Sequence, residues 1–195
     1  MMARWVVVLT LLGVPAAVGA QSFIFSRYAT ATSFSLYGGY GPGHGFGFVG
    51  LVQNPRSGYR ESLVGAGWRV GTTGALTVAG AVASASDGWY AQLYILPSLS
   101  VGPFAASTTI EVYEPLDDRG ARQFYFNPLT IVAPVARGVA VGGTGLFFSQ
   151  VGTVPGYGAG PALQVRVPRG TVTLDLIAGR RPMRDELRLS FYASF

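Results

Sequence analysis

The residue types that most often carry chemistry are scarce in this sequence. Its 195 residues include no cysteine and one histidine, His44, which follows Gly41-Pro42-Gly43. A catalytic histidine needs a nucleophile and an orienting carboxylate within hydrogen-bond reach, and transition-metal sites need several His, Cys or carboxylate ligands. No such set is spaced around His44. We therefore predict no enzyme, no cofactor and no metal site, and we expect His44 to lie in a turn or at an interface.

Two other segments have compositions that occur in binding sites. The segment 114–120 carries three carboxylates that could hold a divalent cation weakly, but its spacing is not that of a calcium loop. The segment 38–47 is rich in glycine, yet no helix pattern follows it to present an N-terminus to a phosphate. We interpret the first as a solvated loop and the second as backbone that curves and turns tightly.

The composition is that of an apolar chain with few charges. Hydrophobic residues make up 49% of it and charged residues 12%, which is about half the usual charged share of a soluble domain. The 14 basic residues are all arginine, and with 9 acidic residues they give a formal charge of +5. These arginines are scattered singly or in pairs, so the charge does not indicate nucleic-acid binding.

The first twenty residues have the layout of a secretory signal peptide. Arg4 precedes an apolar run from Trp5 to Val14, and Val18 and Ala20 occupy the small-residue positions of a cleavage site. The run is about half of the roughly 20 residues that a membrane-spanning helix requires. We predict a cleaved signal peptide over 1–20 and a single exported domain over 21–195. Without cysteine, no disulfide holds that domain together.

The rest of the chain alternates apolar and polar residues at a period of two. No stretch after residue 20 has 18 consecutive apolar residues, which excludes membrane-spanning helices. From Leu187 to Phe195 the odd positions are apolar and the even positions are Arg, Ser, Tyr and Ser. Val172, Leu174 and Leu176 share one face in the same way. This pattern predicts an all-β fold of half-buried strands.

Turn residues divide the domain into strands that run up and down. The predicted strands are a weaker 22–30 and the clearer 32–40, 44–54, 58–70, 74–85, 88–97, 101–114, 121–133, 136–149, 157–167, 170–179 and 185–195. Tight turns alternate with longer polar loops, as in outer-membrane barrels. A bacterial barrel has an even number of strands, so we predict 12, with 10 and then 8 as alternatives. Because a closed barrel has no free edge, Pro128 and Pro161 should lie at bulges or strand ends.

The terminal strand is similar to that of small bacterial outer-membrane β-barrel proteins. In that class the last strand ends in an aromatic residue preceded by alternating apolar residues, and the barrel-assembly machinery reads it. The matching positions here are Leu187, Leu189, Phe191, Ala193 and Phe195, with Ala193 where an aromatic residue is more usual. The resemblance implies a closed antiparallel transmembrane barrel in a Gram-negative cell envelope, with outer-membrane lipid, the assembly machinery and periplasmic chaperones as partners.

If the apolar faces contact lipid, the residues of the other parity line the lumen. The candidates are Glu61, Arg69, Gln92, Glu111, Gln123, Gln164, Arg166, Asp175, Arg188 and Tyr192. Asp175 and Arg188 lie on the two arms of the last hairpin, where a diagonal ion pair is expected. We expect the aromatic residues beside the longer loops, among them Trp89, Tyr90 and Tyr113, to lie at the membrane boundary.

Two interpretations of this lining remain open: a polar constriction in a narrow pore for small polar solutes, or a satisfied network in a structural outer-membrane component. The main rival is a secreted soluble β-barrel or sandwich that binds a hydrophobic ligand. A barrel enzyme acting on lipid is a third class, for which the sequence offers no polar cluster. The solute and the oligomeric state are not determined by the sequence.

Overall fold

The chain forms a closed barrel of twelve antiparallel strands in a computed structural model. The structure describes residues 20–30, 33–70 and 76–195. All but the last residue of the predicted signal peptide lie outside this part of the chain, and Ala20 is the first residue of the first strand. No helix in the described part is long and apolar enough to cross a membrane. The prediction of a 12-stranded all-β barrel is confirmed.

The strands follow one another around the barrel in chain order. They are β1 Ala20–Ala29, β2 Phe34–Pro42, β3 Gly45–Asn54, β4 Tyr59–Val70, β5 Leu76–Ala85, β6 Gly88–Val101, β7 Phe104–Pro115, β8 Gln123–Ala136, β9 Val139–Gln150, β10 Gly156–Val167, β11 Gly170–Arg180 and β12 Glu186–Ser194. Each pairs with its sequence neighbours, and β1 closes the ring on β12 in a register that runs from Phe23↔Ser194 to Ala29↔Arg188. Closure therefore gives every strand in the described part of the chain a partner on both sides.

The two ends of the barrel differ in the length of their connections. One end, here the short-turn end, has the two-residue connections 43–44, 102–103, 137–138 and 168–169. Gly43, Gly102 and Gly138 have φ values of +59°, +57° and +75°, a region that favours glycine. The other end, here the long-loop end, has the connections 55–58, 86–87, 116–122, 151–155 and 181–185. The turn expected around Pro134 lies three residues later, because β8 continues to Ala136.

Outward-facing side chains are apolar and exposed across several neighbouring strands. Val64 on β4 is 62% exposed and pairs with Val49 of β3 and Val82 of β5, which are also exposed. The residues that flank Val64 and Val82 in the chain, Leu63 and Ala83, are buried inside. Alternate residues of a strand point to opposite faces. The two sets of alternating positions in the sequence therefore correspond to the inside and the outside of the barrel.

The two prolines expected at irregularities behave differently. Between Phe126 and Leu129, β8 contains one residue more than either neighbouring strand, so Asn127 and Pro128 form a bulge. This confirms the prediction for Pro128. Pro161 instead lies inside β10, where it keeps its place opposite Gly143 of β9. The prediction for Pro161 was wrong, because the β10–β11 pairing lapses at this point without a shift of register and spares the missing N–H.

Candidate functional site: the barrel interior

Tyrosines paired with carboxylate or amide side chains line the interior of β6, β7 and β8. The hydroxyl of Tyr113 donates to Glu111 at 3.0 Å, and that of Tyr94 donates to Gln92. Tyr125 donates to Gln123 in the same manner. Each pair consists of residues two apart on one strand, which share a face. Tyr59 and Glu61 repeat the arrangement on β4.

The strand register sets these pairs in a checkerboard. Gln92 of β6 lies opposite Tyr113 of β7, and Tyr113 lies opposite Gln123 of β8. In the adjacent row Tyr94, Glu111 and Tyr125 alternate in the opposite order. The ring centroids of Tyr113 and Tyr125 are 5.3 Å apart, within the range of an aromatic contact. The side chains of this half of the interior therefore pack against one another.

Asn127 connects opposite walls of the barrel. Its Oδ1 accepts a hydrogen bond from Arg27 of β1 at 3.1 Å and a second from Arg188 of β12. Its Nδ2 donates to Glu111 of β7 at 3.3 Å. Four strands separate β8 from β1 in one direction around the barrel and six in the other. We call Arg27, Asn127, Arg188 and Glu111 the cross-barrel bridge.

The bulge on β8 explains why Asn127 reaches this position. Before the bulge the inward residues of β8 are odd-numbered, as with Gln123, and after it they are even-numbered, as with Thr130 and Val132, which are buried. The extra residue bends the strand locally. Asn127 lies at the point where the parity changes.

Arg188 has a carboxylate partner that differs from the predicted one. Its guanidinium forms an ion pair with Glu186, two residues earlier on the same strand, and both side chains are almost completely buried. Asp175 lies directly opposite Arg188 in the β11–β12 register rather than diagonally. The predicted Asp175–Arg188 ion pair was wrong, because the same-face neighbour on β12 occupies the guanidinium.

Towards the short-turn end the interior side chains are more exposed, and an arginine guanidinium lies over aromatic rings. The guanidinium of Arg69 lies 5.3 Å from the ring centroid of Phe46 and 5.8 Å from that of Phe23. Tyr192 stacks on Phe23 at 6.5 Å and is 40% exposed. Such contacts are typical of cation–π interactions. The interior is thus closed in the long-loop half and accessible to water near the short turns.

The structure places all ten predicted lining residues on the inward parity of their strands. Six of them are buried, in the long-loop half of the interior: Glu61, Gln92, Glu111, Gln123, Asp175 and Arg188. Arg69 and Gln164 are half-buried, with Gln164 donating to Thr173 at 3.5 Å, whereas Arg166 and Tyr192 are exposed towards the short-turn end.

Several interior residues were not among the predicted lining. Arg27 and Glu186 follow the same parity rule and could have been found by applying it to β1 and to the first residue of β12. Tyr90 and Tyr113 were expected at the membrane boundary, but they are buried inside at 0% and 7% exposure. Only their neighbours of the other parity, such as Trp89 at 48%, face outward.

The two other candidate sites from the sequence lie in connections between strands. His44 lies in the β2–β3 turn, with its ring 6.0 Å from that of Trp68. Asp117 accepts hydrogen bonds from the side chain of Arg119 at 2.7 Å and from the amide of Trp89 at 3.1 Å. These donors, Arg119 first, hold the pKa of Asp117 below its ordinary value. Within the described residues, no three His, Cys, Asp or Glu side chains are grouped to hold a metal.

The terminal strand carries its apolar residues on the outside. Leu187, Leu189 and Phe191 are between 37% and 48% exposed. Ala193 is buried between its ladder partners Ile24 and Gly170. Phe195 continues the pairing beyond β12, since its amide and carbonyl bond those of Ser22, and the Arg169 guanidinium lies 5.7 Å from its ring.

Comparison with known proteins gives matches only at the level of structure. No protein-family model matches the sequence, and the search of curated proteins gave no match. The KdgM porin has a TM-score of 0.60 and 9% identity, covering 90% of this chain and 99% of the porin. The NanC porin has a TM-score of 0.55 and 8% identity, covering 89% and 98%. The translocator domain of the autotransporter NalP from Neisseria meningitidis has a TM-score of 0.50 and 9% identity, covering 97% and 92%. The resemblance to bacterial outer-membrane barrels is confirmed for the fold, which this chain shares with these porins.

Proposed function

We propose that this chain is a bacterial outer-membrane barrel that acts as a narrow pore for small polar solutes, with its constriction at the cross-barrel bridge. The shared fold supports a membrane barrel of the porin type. The single observation that carries the pore is Asn127, because one carboxamide in the interior joins β1 and β12 to β7 and β8. The role is passive, and we assign no reaction to it.

The outer surface supports a membrane location over a soluble protein. Large apolar side chains on it are exposed at separate positions around the ring, as at Val64 of β4, Leu93 of β6, Leu176 of β11 and Leu189 of β12. A monomeric soluble protein rarely exposes apolar patches of more than a few hundred Å², whereas a barrel in lipid requires an apolar outer band. A soluble carrier for a hydrophobic ligand also needs an apolar cavity, but the apolar side chains of the described interior pack against one another in a cluster, and carboxylates, amides and guanidinium groups are buried beside them.

The chemistry of the constriction supports small polar solutes. Guanidinium, carboxamide and carboxylate groups meet there, so a passing solute must exchange hydrogen bonds with groups of both charge signs. Such groups can replace the hydrogen bonds that water makes to ions and small polar molecules. They offer no comparable stabilisation to an apolar molecule. The NalP, KdgM and NanC barrels share the fold of this chain, and we do not assign to it a solute of any of them.

Planar-bilayer recording tests the proposal. We expect small, steady single-channel steps from the purified wild-type barrel. Asn127→Ala should increase the step size, because it removes the group that holds Arg27 and Arg188 across the interior. Asn54→Ala is the matched control, since Asn54 also precedes a proline but bonds only the amides of Arg56 and Ser57 in a loop. Silence of both wild type and Asn127→Ala would overturn the pore.

The second candidate is a structural outer-membrane component. The observation that favours it is the burial of the long-loop half of the interior, where Tyr90 is 0% and Asp175 1% exposed. In that case the bridge and the tyrosine checkerboard would serve only to hold the barrel closed. Silence in bilayers together with a stable, heat-modifiable barrel in the outer-membrane fraction would favour this role.

We further propose that biogenesis follows the route of outer-membrane barrels. The chain would be exported through a cleaved signal peptide, escorted by periplasmic chaperones and inserted by the barrel-assembly machinery. The outward residues Leu187, Leu189 and Phe191, with Ala193 and Phe195, would supply the assembly signal. The short-turn end would then face the periplasm, as short turns do in this class.

A further inference from the structure

We infer that the outer wall of the barrel binds a phosphorylated lipid of the outer leaflet, with an acyl chain in a groove across β10, β11 and β12 and a phosphate at the arginines of its rim. This inference rests on the proposed outer-membrane location, with the long-loop end towards the cell surface. It does not depend on the pore, because the groove lies on the face of the barrel opposite to the lumen.

The groove runs over the outward face of three neighbouring strands. Its walls are exposed apolar side chains of outward parity: Ala159 and Pro161 of β10, Leu176 and Ala178 of β11, and Leu187 of β12. The small Ala159 and Ala178 lie opposite each other in the β10–β11 ladder, whereas Leu163 and Leu174 lie opposite each other further towards the short turns. The groove is therefore a depression between bulkier apolar side chains, on the face that would contact lipid.

Arginines form the rim of the groove at the long-loop end. Asp185 lines both the groove and a second depression in the 181–185 loop, whose lining includes Arg181 and Arg184. Arg180 is exposed at the end of β11, two residues after Ala178 and on the same outward face. Three guanidinium groups therefore lie where the groove opens towards the loops.

The rim keeps an excess of positive charge. Three arginines and one aspartate give the segment 180–185 a formal charge of +2. Among the described residues, no carboxylate forms an ion pair with any of these arginines, and Asp185 accepts a hydrogen bond from the amide of Gly179 at 2.9 Å. By contrast, both arginines of the 116–122 loop have carboxylate partners. The charge of the rim is thus available to an anionic group.

The rim and the groove together fit a phosphorylated lipid. Guanidinium groups bind phosphate through two parallel hydrogen bonds, and the groove offers an acyl chain an apolar surface that a free phosphate does not use. A rise of about 3.3 Å per residue puts Leu176 about 13 Å along β11 from Arg180. Tyr157 pairs with Arg180 and is 56% exposed, as is typical of the membrane boundary. A phosphate at this boundary would let its acyl chain follow the groove into the hydrocarbon region.

Native mass spectrometry of the purified barrel in detergent, titrated with bisphosphorylated lipid A, tests the inference. We expect the barrel to retain one lipid. The double variant Arg180→Gln/Arg184→Gln should weaken this binding at least about tenfold, because it removes two charge-assisted contacts. Arg56→Gln/Arg60→Gln is the matched control, since it removes the same charge from two exposed arginines beside the β3–β4 loop and should leave binding unchanged.

A second pair of variants tests the groove separately from the arginines. Ala178→Leu fills the depression with an apolar side chain and should weaken lipid A binding about fourfold, the equivalent of one buried methylene. Ala66→Leu, on the exposed outward face of β4, is its control and should have no effect. Lipid A without its phosphates should bind the wild type as weakly as intact lipid A binds the arginine variant.

Heat-modifiable migration verifies that each variant has folded. Equal losses from the two arginine double variants would mean that general charge attracts the lipid, and unchanged binding to folded Ala178→Leu would remove the acyl chain from the groove; either result overturns the site. Full competition by inorganic phosphate, or dimers of the barrel in place of lipid adducts, would also overturn it. Channel steps in phosphatidylcholine bilayers without any lipid A binding would contradict this inference alone and leave the pore intact.

Discussion

Arg27 and Asn127 are joined by a hydrogen bond of 3.1 Å, although 100 residues separate them in the chain. One lies on β1 and the other on β8, on opposite walls of a closed barrel. A contact of this kind measures the width of the lumen directly, because two side chains suffice to cross it. The same carboxamide oxygen also accepts from Arg188.

Removal of the Asn127 side chain should destabilise the barrel. Asn127→Ala leaves the guanidinium of the buried Arg188 with one acceptor fewer and Glu111 without its amide donor. A lost bond to a buried or charged group costs about 1–3 kcal/mol. Urea unfolding in lipid vesicles, followed by tryptophan fluorescence, measures this free energy. Asn54→Ala should lower it by less, and equal losses from the two variants would contradict the bridge.

The ion pair between Glu186 and Arg188 should be the most sensitive electrostatic contact in the barrel. Glu186→Gln preserves shape but leaves a buried guanidinium undercompensated, which typically costs about 3–5 kcal/mol. The exposed pair Arg122–Glu114 provides the comparison, and Glu114→Gln should not change the unfolding free energy measurably. Similar small effects from both substitutions would mean that water reaches Arg188.

A charge on the outer face distinguishes lipid from water around the barrel. Val64→Arg introduces a guanidinium among the outward valines of β3, β4 and β5 and should cost about 2–4 kcal/mol if that face contacts the bilayer core. Leu116→Arg, in the exposed loop that follows β7, should be neutral. In vesicles the two unfolding free energies are compared directly. An unfolding free energy that Val64→Arg leaves unchanged would favour a soluble barrel instead.

The terminal aromatic should matter for assembly in cells more than for the folded state. Phe195→Ser keeps the backbone bonds to Ser22 and removes the ring beside Arg169. We expect less barrel in the outer-membrane fraction but unchanged refolding in detergent. Leu116→Ser, which removes an exposed apolar side chain from a loop, is the matched control. If the Phe195 variant accumulates normally in the outer membrane, the residue carries no assembly signal.

The sequence was sufficient for the architecture because a strand reveals its two faces locally. The alternation in Leu187 to Phe195 and in Thr171 to Leu176 requires only near neighbours, and the same parity places Glu61 and Glu111 inside. Applied without regard to residue type, it would also have placed Tyr90 and Tyr113 inside. Residue type alone favours the membrane boundary for these two, because tyrosine is common there.

The composition and the period of two in this sequence determined strands, their number and the parity of their faces, because these depend on residues close together in the chain. Only the tertiary structure decided what meets across the lumen. One extra residue at Asn127 and Pro128 reversed the parity of β8 and put a carboxamide opposite Arg27. Likewise, Arg188 forms its ion pair with Glu186 on the same strand rather than with Asp175 on the neighbouring one. Such choices depend on the closure of the ring, which brings together side chains that no local pattern relates.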